Sequence, residues 1–574
     1  MERTTPDIGR LRQRLREIYG PPGEVWAPRF AQLAAAWLPE PVSTGTLWDE
    51  RDAVLIAYGD HVLAAGQRPL HALREFLVEQ DLGSLFSTVH LLPFFPASSD
   101  DGFSVIDYRA VDPALGDWDD VRDVGQTSDL MFDLVLNHVS QHSRWFQEYL
   151  QGHEPYVRYF HEVDPAADLS AVARPRSLPL LTEFSTSRGP RQVWTTFSAD
   201  QVDLNFDEPQ VLLELTEVLL DYVRRGARII RLDAVAYVGK QIDTSCIHLP
   251  QAHAVVKLFR EVLARVAPRV LLLTETNVPH AENISYFGDG DEAHMVYQFS
   301  LPPLLLDAWL NEDAEPLVRW LAAFAPAPPG RTFFNFTASH DGVGVRPLEG
   351  LVSAERFQRL IAAIRARGGL ISTRRGPDGG DLPYELNITY FDALADLDTP
   401  DTSRHVRRFL ATQALMLALR GIPGVYFSSL FGDGNDLEGV RQTGQARRIN
   451  RRKFDRDELT RTLMQSSSRQ AAVLAGYRRL LATRRQQPAF HPDGPQQVWT
   501  DVPSWLVAVL RTSPDGRQRI LVLVNVSQRS QSWELPPEIA HRRPARDLLS
   551  GRVWPSVTRA ELGALETVWL EFTD

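Results

Sequence analysis

The stretch ARIIRLDAVAY, residues 227–237, constrains the fold more than any other part of the chain. Its apolar residues Ile229, Ile230 and Leu232 read as a strand buried on both faces, as in a parallel sheet. Arg231 and Asp233 interrupt that run near its end, and burying a lone charge there is strongly unfavourable unless it is paired. Two residues apart on a strand, they point to the same side, so a guanidinium stands beside a carboxylate. Such a cation lowers the carboxylate's pKa and keeps it ionised, the state a nucleophile needs. A buried ion pair that merely closes a strand fits these eleven residues equally well.

A buried parallel strand implies further strands joined by helical crossovers. Seven more candidates occur in order: AVLIAYGD (53–60), STVHLLPFFP (87–96), LMFDLVLNHVS (130–140), VLLLTET (270–276), HMVYQFS (294–300), FFNFTASHD (333–341) and GVYFSS (424–429). Helix-patterned segments separate most of them, among them PLHALREFLVEQ, WDDVRDVGQ, VLLELTEVLLDYVRR, AVVKLFREVLARV and FLATQALMLALR. Eight strands alternating with helices predict a (β/α)8 TIM barrel of the α/β class. Polar residues gather at strand C-termini (Asn137-His138, Arg231-Asp233, Glu275, His340-Asp341), and that rim carries the chemistry of such barrels.

The rest of the chain divides around this repeat. Residues 1–50 carry helix-spaced apolar residues, Leu11, Leu15 and Ile18, then Phe30, Leu33, Ala34 and Trp37, on either side of GPPGE. They are read as an N-terminal cap of two amphipathic helices. Residues 51–140, 206–341 and 396–490 form the barrel, with rim insertions after strand 3 (141–205) and strand 7 (342–395). Short alternating runs over 491–574 predict a small antiparallel β domain. The net charge of −12 argues against nucleic acid or an anionic membrane as partner. One cysteine, Cys246, excludes an intrachain disulfide and suits a reducing compartment. The first residues lack the apolar core of a signal peptide, and no apolar run reaches membrane-spanning length, so the expectation is a cytoplasmic enzyme.

Three acids, Asp233, Glu275 and Asp341, stand at what read as successive strand ends. Glycoside cleavage with retention needs two carboxyls about 5–5.5 Å apart, one a nucleophile and one a general acid/base. Asp233, beside Arg231, suits the nucleophile. Glu275, after an apolar run and without a neighbouring cation in sequence, suits the proton donor, because desolvation raises a carboxyl's pKa. Asp341 would stabilise the oxocarbenium-like transition state.

The ordered set LVLNHVS, IIRLDAV, LLTET and TASHD resembles the α-amylase superfamily. HLLPFFPASSDDGFSVIDYRAVDPALGDWDDV, ARPRSLPLLT, VWTTFSADQVDLNF, TSCIHLP, FSLPPLLLDA and RRINRRKF resemble its sucrose-phosphorylase branch. The N-terminal cap, SSDDGFSVIDY, TETNVPH and PYELNI look closer still to the glucosylglycerate phosphorylases of that branch. The resemblance implies double displacement through a β-glucosyl-Asp233 ester, opened by inorganic phosphate to α-glucose 1-phosphate. It implies that Asp100, His138, Gln201, Arg231, His340 and Arg451 hold the glucosyl unit between Phe103 and Tyr237. It also implies small-molecule substrates only, an α-glucoside and phosphate, with no cofactor and no metal at Asn137.

The acceptor end departs from sucrose phosphorylases. Asn277 stands where they carry His, and Tyr384-Glu385 where they carry Tyr-Gln, while Arg176 keeps the arginine that can meet phosphate in a bidentate fork. Loss of that His together with Glu385 in place of Gln makes a fructose site less expected, and Glu385 suits hydrogen bonds from acceptor hydroxyls. A glycerate carboxylate needs a cation, for which Arg174, Arg176, Arg448 and the pair Arg374-Arg375 are the candidates.

Overall fold

The computed structural model describes residues 8–36, 46–324, 327–376, 380–398, 401–538, 540 and 544–572; Trp37, placed in the N-terminal cap above, lies outside them. Eight parallel strands close into a barrel: β1 (Val54–Ala57), β2 (Thr88–Leu91), β3 (Asp129–Val135), β4 (Ala227–Asp233), β5 (Leu271–Thr274), β6 (Met295–Tyr297), β7 (Thr332–Phe336) and β8 (Ile422–Tyr426). Each pairs with its sequence neighbour, and β8 closes on β1 through Leu55 opposite Val425. All eight candidate runs therefore became barrel strands. Their apolar character on both faces follows from the architecture, with side chains packed inside the barrel and crossover helices outside.

Local sequence sets where the helices begin. The helix Trp118–Val124 is started by Asp117, whose carboxylate accepts from the amides of Asp119 and Asp120, while Asp120 reaches back to Asp117. This capping box satisfies amides that would otherwise lack partners. The helices Pro69–Glu79, Pro209–Arg224 and Pro250–Val266 carry proline in the first turn, where its missing N–H costs nothing. Inside the barrel Gly424 is required by packing. A Cβ there would lie 2.4 Å from the Phe334 ring on the adjacent strand.

The two N-terminal helices are Ile8–Tyr19 and Ala27–Ala36, joined by a tight turn through the GPPGE stretch. Leu11 and Leu15, one turn apart, are fully buried, and their helix packs on Pro250–Val266. Each leucine buried there stabilises the cap by about 1.5–3 kcal/mol. The cap is also pinned by Arg14, which donates to Asp291 at 2.8 Å. At the other end a six-stranded antiparallel sheet is built on Leu506–Thr512, Arg519–Asn525 and Thr567–Phe572.

Both rim insertions contain strands. The first carries the hairpin Leu181–Thr186/Gly189–Trp194, then Gln201–Asp203, which pairs antiparallel with His138–Ser140. The second folds into a sheet in which Asp381–Asn387 lies between Val343–Gly344 and Leu370–Arg375. Its Gly- and Pro-rich stretch thus contributes the strand Asp381–Asn387 to a hairpin and is not loop throughout.

Candidate active site

The opening stretch ends its strand at Asp233, and Ala234 then turns the chain with φ 52°, a left-handed conformation unfavourable for a residue with a Cβ. In that conformation the Ala234 amide donates to Glu275 Oε2 at 3.2 Å, so the turn after one acid positions the next. Asp341 requires a correction to the sequence reading. It is not on the strand following Glu275, because β6 intervenes, and it lies five residues beyond the end of β7. Closure of the barrel nevertheless brings all three acids to one mouth.

There they line a cavity of about 70 Å³ with Asp100, Phe103, His138, Arg176, Gln201, Tyr237, Asn277, His340, Tyr384 and Glu385. Phe197 and Arg447, which the sequence reading did not name, line it too. A larger groove of about 1070 Å³ opens between the helices Ala27–Ala36 and Pro209–Arg224, on the outside of the barrel, and contains none of the three acids.

The cavity walls are held from behind. Phe103 stacks face to face on His340, with centroids 4.7 Å apart and planes 6° apart. Phe197 meets Tyr237 edge-on at 5.2 Å and His138 at 5.1 Å. The carbonyl of Phe103 lies 2.9 Å from His138 Nε2, and Gln201 Nε2 lies 3.2 Å from the same nitrogen. The pairing of His138–Ser140 with Gln201–Asp203 brings these last two together. Burial depresses both histidines, His340 to about 3, so each meets a ligand as a neutral imidazole.

Arg231 and Arg451 lie behind the cavity lining. Arg231, 2 % exposed, donates to Asp233 at 2.7 Å and also to Asp133, a fully buried aspartate in the middle of β3. His90 Nε2 sits 2.7 Å from the other oxygen of Asp133. Burial alone would push Asp133 up, but His90 and Arg231 outweigh it and hold the carboxyl at about 2. This sharing corrects the expectation that Arg231 alone keeps Asp233 ionised. Burial raises Asp233 well above the ordinary carboxylate range; Arg231 opposes that shift, and the nearby Glu275 and Asp133 add to it. Burial raises Glu275 as well. Both acids are thus shifted upward by the same burial and by each other, and Asp233 is the one of the two that accepts from Arg231. Asp341 goes the other way, since Arg447, His340 and Arg451 outweigh its burial and hold it far below the usual range.

Removing Asp133 leaves Arg231 half-paired in the barrel interior. Asp133→Asn is expected to lower unfolding free energy by about 3–5 kcal/mol, read by urea denaturation. Asp133 is stabilising once ionised, so its contribution is complete above the unfolded pKa near 3.9 and is lost as pH falls toward 2. The stability gap between wild type and D133N should therefore narrow over that window.

Arg451 donates to the His340 carbonyl at 2.7 Å and to Asp101 at 2.6 Å, and it approaches Asp341 at 3.7 Å. Arg448 does not face the cavity as expected. It turns to Asp101 at 3.8 Å because the 3₁₀ turn Ala446–Asn450 points consecutive side chains about 120° apart, and Arg447 takes the inward direction. Arg174 donates to the Leu178 carbonyl at 2.6 Å, Arg374 pairs with Glu349 at 2.9 Å, and Arg375 lies 3.7 Å from Asp381. None of these three lines the cavity. Asn137 Oδ1 accepts from Lys240 at 2.9 Å; the same ammonium lies 2.9 Å from Asp203 and 2.5 Å from the Tyr237 carbonyl.

Residues 80–316 match the family model described as "Alpha amylase, catalytic domain". Over 583 aligned residues, covering 98% of both chains, the sequence is 47% identical to the glucosylglycerate phosphorylase of Spirochaeta thermophila. The chain belongs to the α-amylase superfamily, among its glycoside phosphorylases. It is also 47% identical to the glucosylglycerate phosphorylase of Allomeiothermus silvanus, covering 92% of this chain and 95% of that one. Of solved structures, sucrose 6F-phosphate phosphorylase from Thermoanaerobacter thermosaccharolyticum superposes with a TM-score of 0.71. That match has 26% identity and covers 83% of this chain and 94% of that one. In this superfamily member the rim of β4, β5 and β7 thus brings three carboxyls into one cavity, Asp233 and Glu275 shifted up by burial and Asp341 shifted down by its cations.

Proposed function

We propose that this chain is a retaining phosphorylase that converts 2-O-α-D-glucosyl-D-glycerate and phosphate to α-D-glucose 1-phosphate and D-glycerate. The observation that carries this reading is one cavity holding Asp233, Glu275 and Asp341 together with Arg176, Asn277 and Glu385. The near full-length similarity to glucosylglycerate phosphorylases supplies the substrate.

In the first step an Asp233 carboxylate oxygen attacks C1 of the glucosyl unit. The bond from C1 to the glycerate oxygen breaks, and the Glu275 proton passes to that oxygen. The side chain of Asp341, held ionised by its cations, faces the positive charge that develops on the sugar ring. In the second step a phosphate oxygen attacks C1, the ester to Asp233 breaks, and Glu275 takes the phosphate proton. Both acids return to their starting states. Neutral His138 and His340 and the carboxylate of Asp100 receive sugar hydroxyls, with Phe103 and Tyr237 as apolar walls. The charge balance and the single cysteine suit a cytoplasmic enzyme acting on small molecules.

Glucose 1-phosphate should form from glucosylglycerate only when phosphate is present, and faster than from sucrose, sucrose 6-phosphate or glucosylglycerol. Turnover of sucrose without turnover of glucosylglycerate would overturn the acceptor assignment. Phosphate-independent hydrolysis would overturn the phosphorylase reading as a whole.

A further inference from the structure

We infer that Arg447 is the residue that receives the anionic group of acceptor and phosphate alike, and that Glu385 is its internal competitor. This rests on the phosphorylase reading and names the residue that gives that site its preference for anions.

Five carboxyl side chains line the cavity, Asp100, Asp233, Glu275, Asp341 and Glu385, against only two guanidiniums, Arg176 and Arg447. A glycerate carboxylate or a phosphate entering such a field is repelled unless a lining cation turns to it. Arg447 already holds a carboxylate in the required way. Its Nε and Nη2 donate to the two oxygens of Glu385 at 3.1 and 2.6 Å, the parallel fork by which arginine recognises carboxylates and phosphates. Arg176 lies 3.7 Å from the Glu385 oxygen that Arg447 Nη2 holds, its guanidinium 5.5 Å over the Tyr384 ring. The remaining Arg447 nitrogen, Nη1, lies 2.8 Å from Asp341 and 3.6 Å from Asp100, so one side chain spans the acids around the reacting carbon and the acceptor end.

Space makes the same point. A cavity of about 70 Å³ has room for some two waters, and a ligand-binding pocket is typically about 300–1,000 Å³. A glucoside can enter only if the ion pairs that cross the cavity give way. When the glucosyl hydroxyls take over Asp341 and Asp100, and the anion takes the fork now filled by Glu385, Arg447 exchanges an internal carboxylate for the ligand's. This assigns Glu385 a different role from the hydroxyl acceptor that its sequence position suggests.

The test uses the full chain with α-glucosyl fluoride, whose small leaving group needs no anion site. Glucose 1-phosphate formation at varied phosphate gives KM for phosphate, glucosylglycerate formation at varied glycerate gives KM for glycerate, and fluoride release into water alone gives the anion-free rate. In R447Q both KM values should rise by about tenfold or more, and by a larger factor than the anion-free rate falls, with partial recovery in R447K. In E385Q both KM values should fall severalfold, because the competing charge is gone. An equal loss of anion-free and anion-dependent reaction in R447Q would reduce Arg447 to a support for Asp341 and overturn the inference. So would KM values that rise or stay put in E385Q. A wild-type enzyme indifferent to phosphate defeats the phosphorylase reading instead, and that result is visible before any variant is made.

Discussion

Asp233→Asn is expected to lower turnover by about 10⁴-fold or more, with glucosylglycerate and α-glucosyl fluoride as donors alike. The amide cannot form the glucosyl ester, and no leaving group, however good, replaces the missing nucleophile. The variant should stay folded, since Arg231 keeps its ion pair with the fully buried Asp133 when Asp233 is neutral. That separates Asp233 from its neighbour on β3: D133N costs stability, whereas D233N costs chemistry. Matched urea midpoints for D233N and wild type, beside turnover near the wild-type rate, would remove Asp233 from the mechanism.

Glu275→Gln carries the second largest effect, about 10²–10⁴-fold with glucosylglycerate. Here the leaving group matters. Fluoride departs without a proton, so the loss measured as fluoride release in the presence of phosphate should be far smaller than with the natural donor. The pH profile gives an independent reading. The proposed mechanism needs Asp233 ionised and Glu275 protonated, so the acidic limb of kcat/KM should follow loss of the first and the alkaline limb loss of the second. Burial raises both groups, which places the bell above the range near 4 where free carboxyls titrate. In E275Q the alkaline limb should vanish while the acidic limb stays. A profile of unchanged shape would take the proton-donor role from Glu275.

The barrel could be read from the sequence because its cause is local. A strand covered on both faces must be apolar throughout, and eight such runs separated by amphipathic helices leave few alternatives. The acids were legible for the opposite reason, as charges at the ends of runs that otherwise tolerate none. Asp133 gave the same signal inside LMFDLVLNHVS, and a systematic search for charges within buried strands would have found it together with the sharing of Arg231. Arg447 and Arg448 were not separable, because adjacent arginines in a 3₁₀ turn differ only in direction, which depends on how that turn meets the rim. Phe197 lies in a long insertion whose path is fixed by the pairing of His138–Ser140 with Gln201–Asp203, a contact between segments some sixty residues apart. Asp341 does not follow Glu275 directly; the HMVYQFS run between them ends without an acid and so leaves no mark in the series of charged strand ends.

Lys240 ties three parts of the rim through one ammonium group: Asn137 beyond β3, the Tyr237 carbonyl beyond β4, and Asp203 in the first insertion. The positive charge at this junction is encoded in the chain, so it is present at unit stoichiometry from synthesis and cannot be washed out, exchanged or competed for. Activity should therefore be the same after prolonged dialysis against a chelator as before it. The junction of β3, β4 and the first insertion is then tied together in the same way whether divalent ions are scarce or in excess.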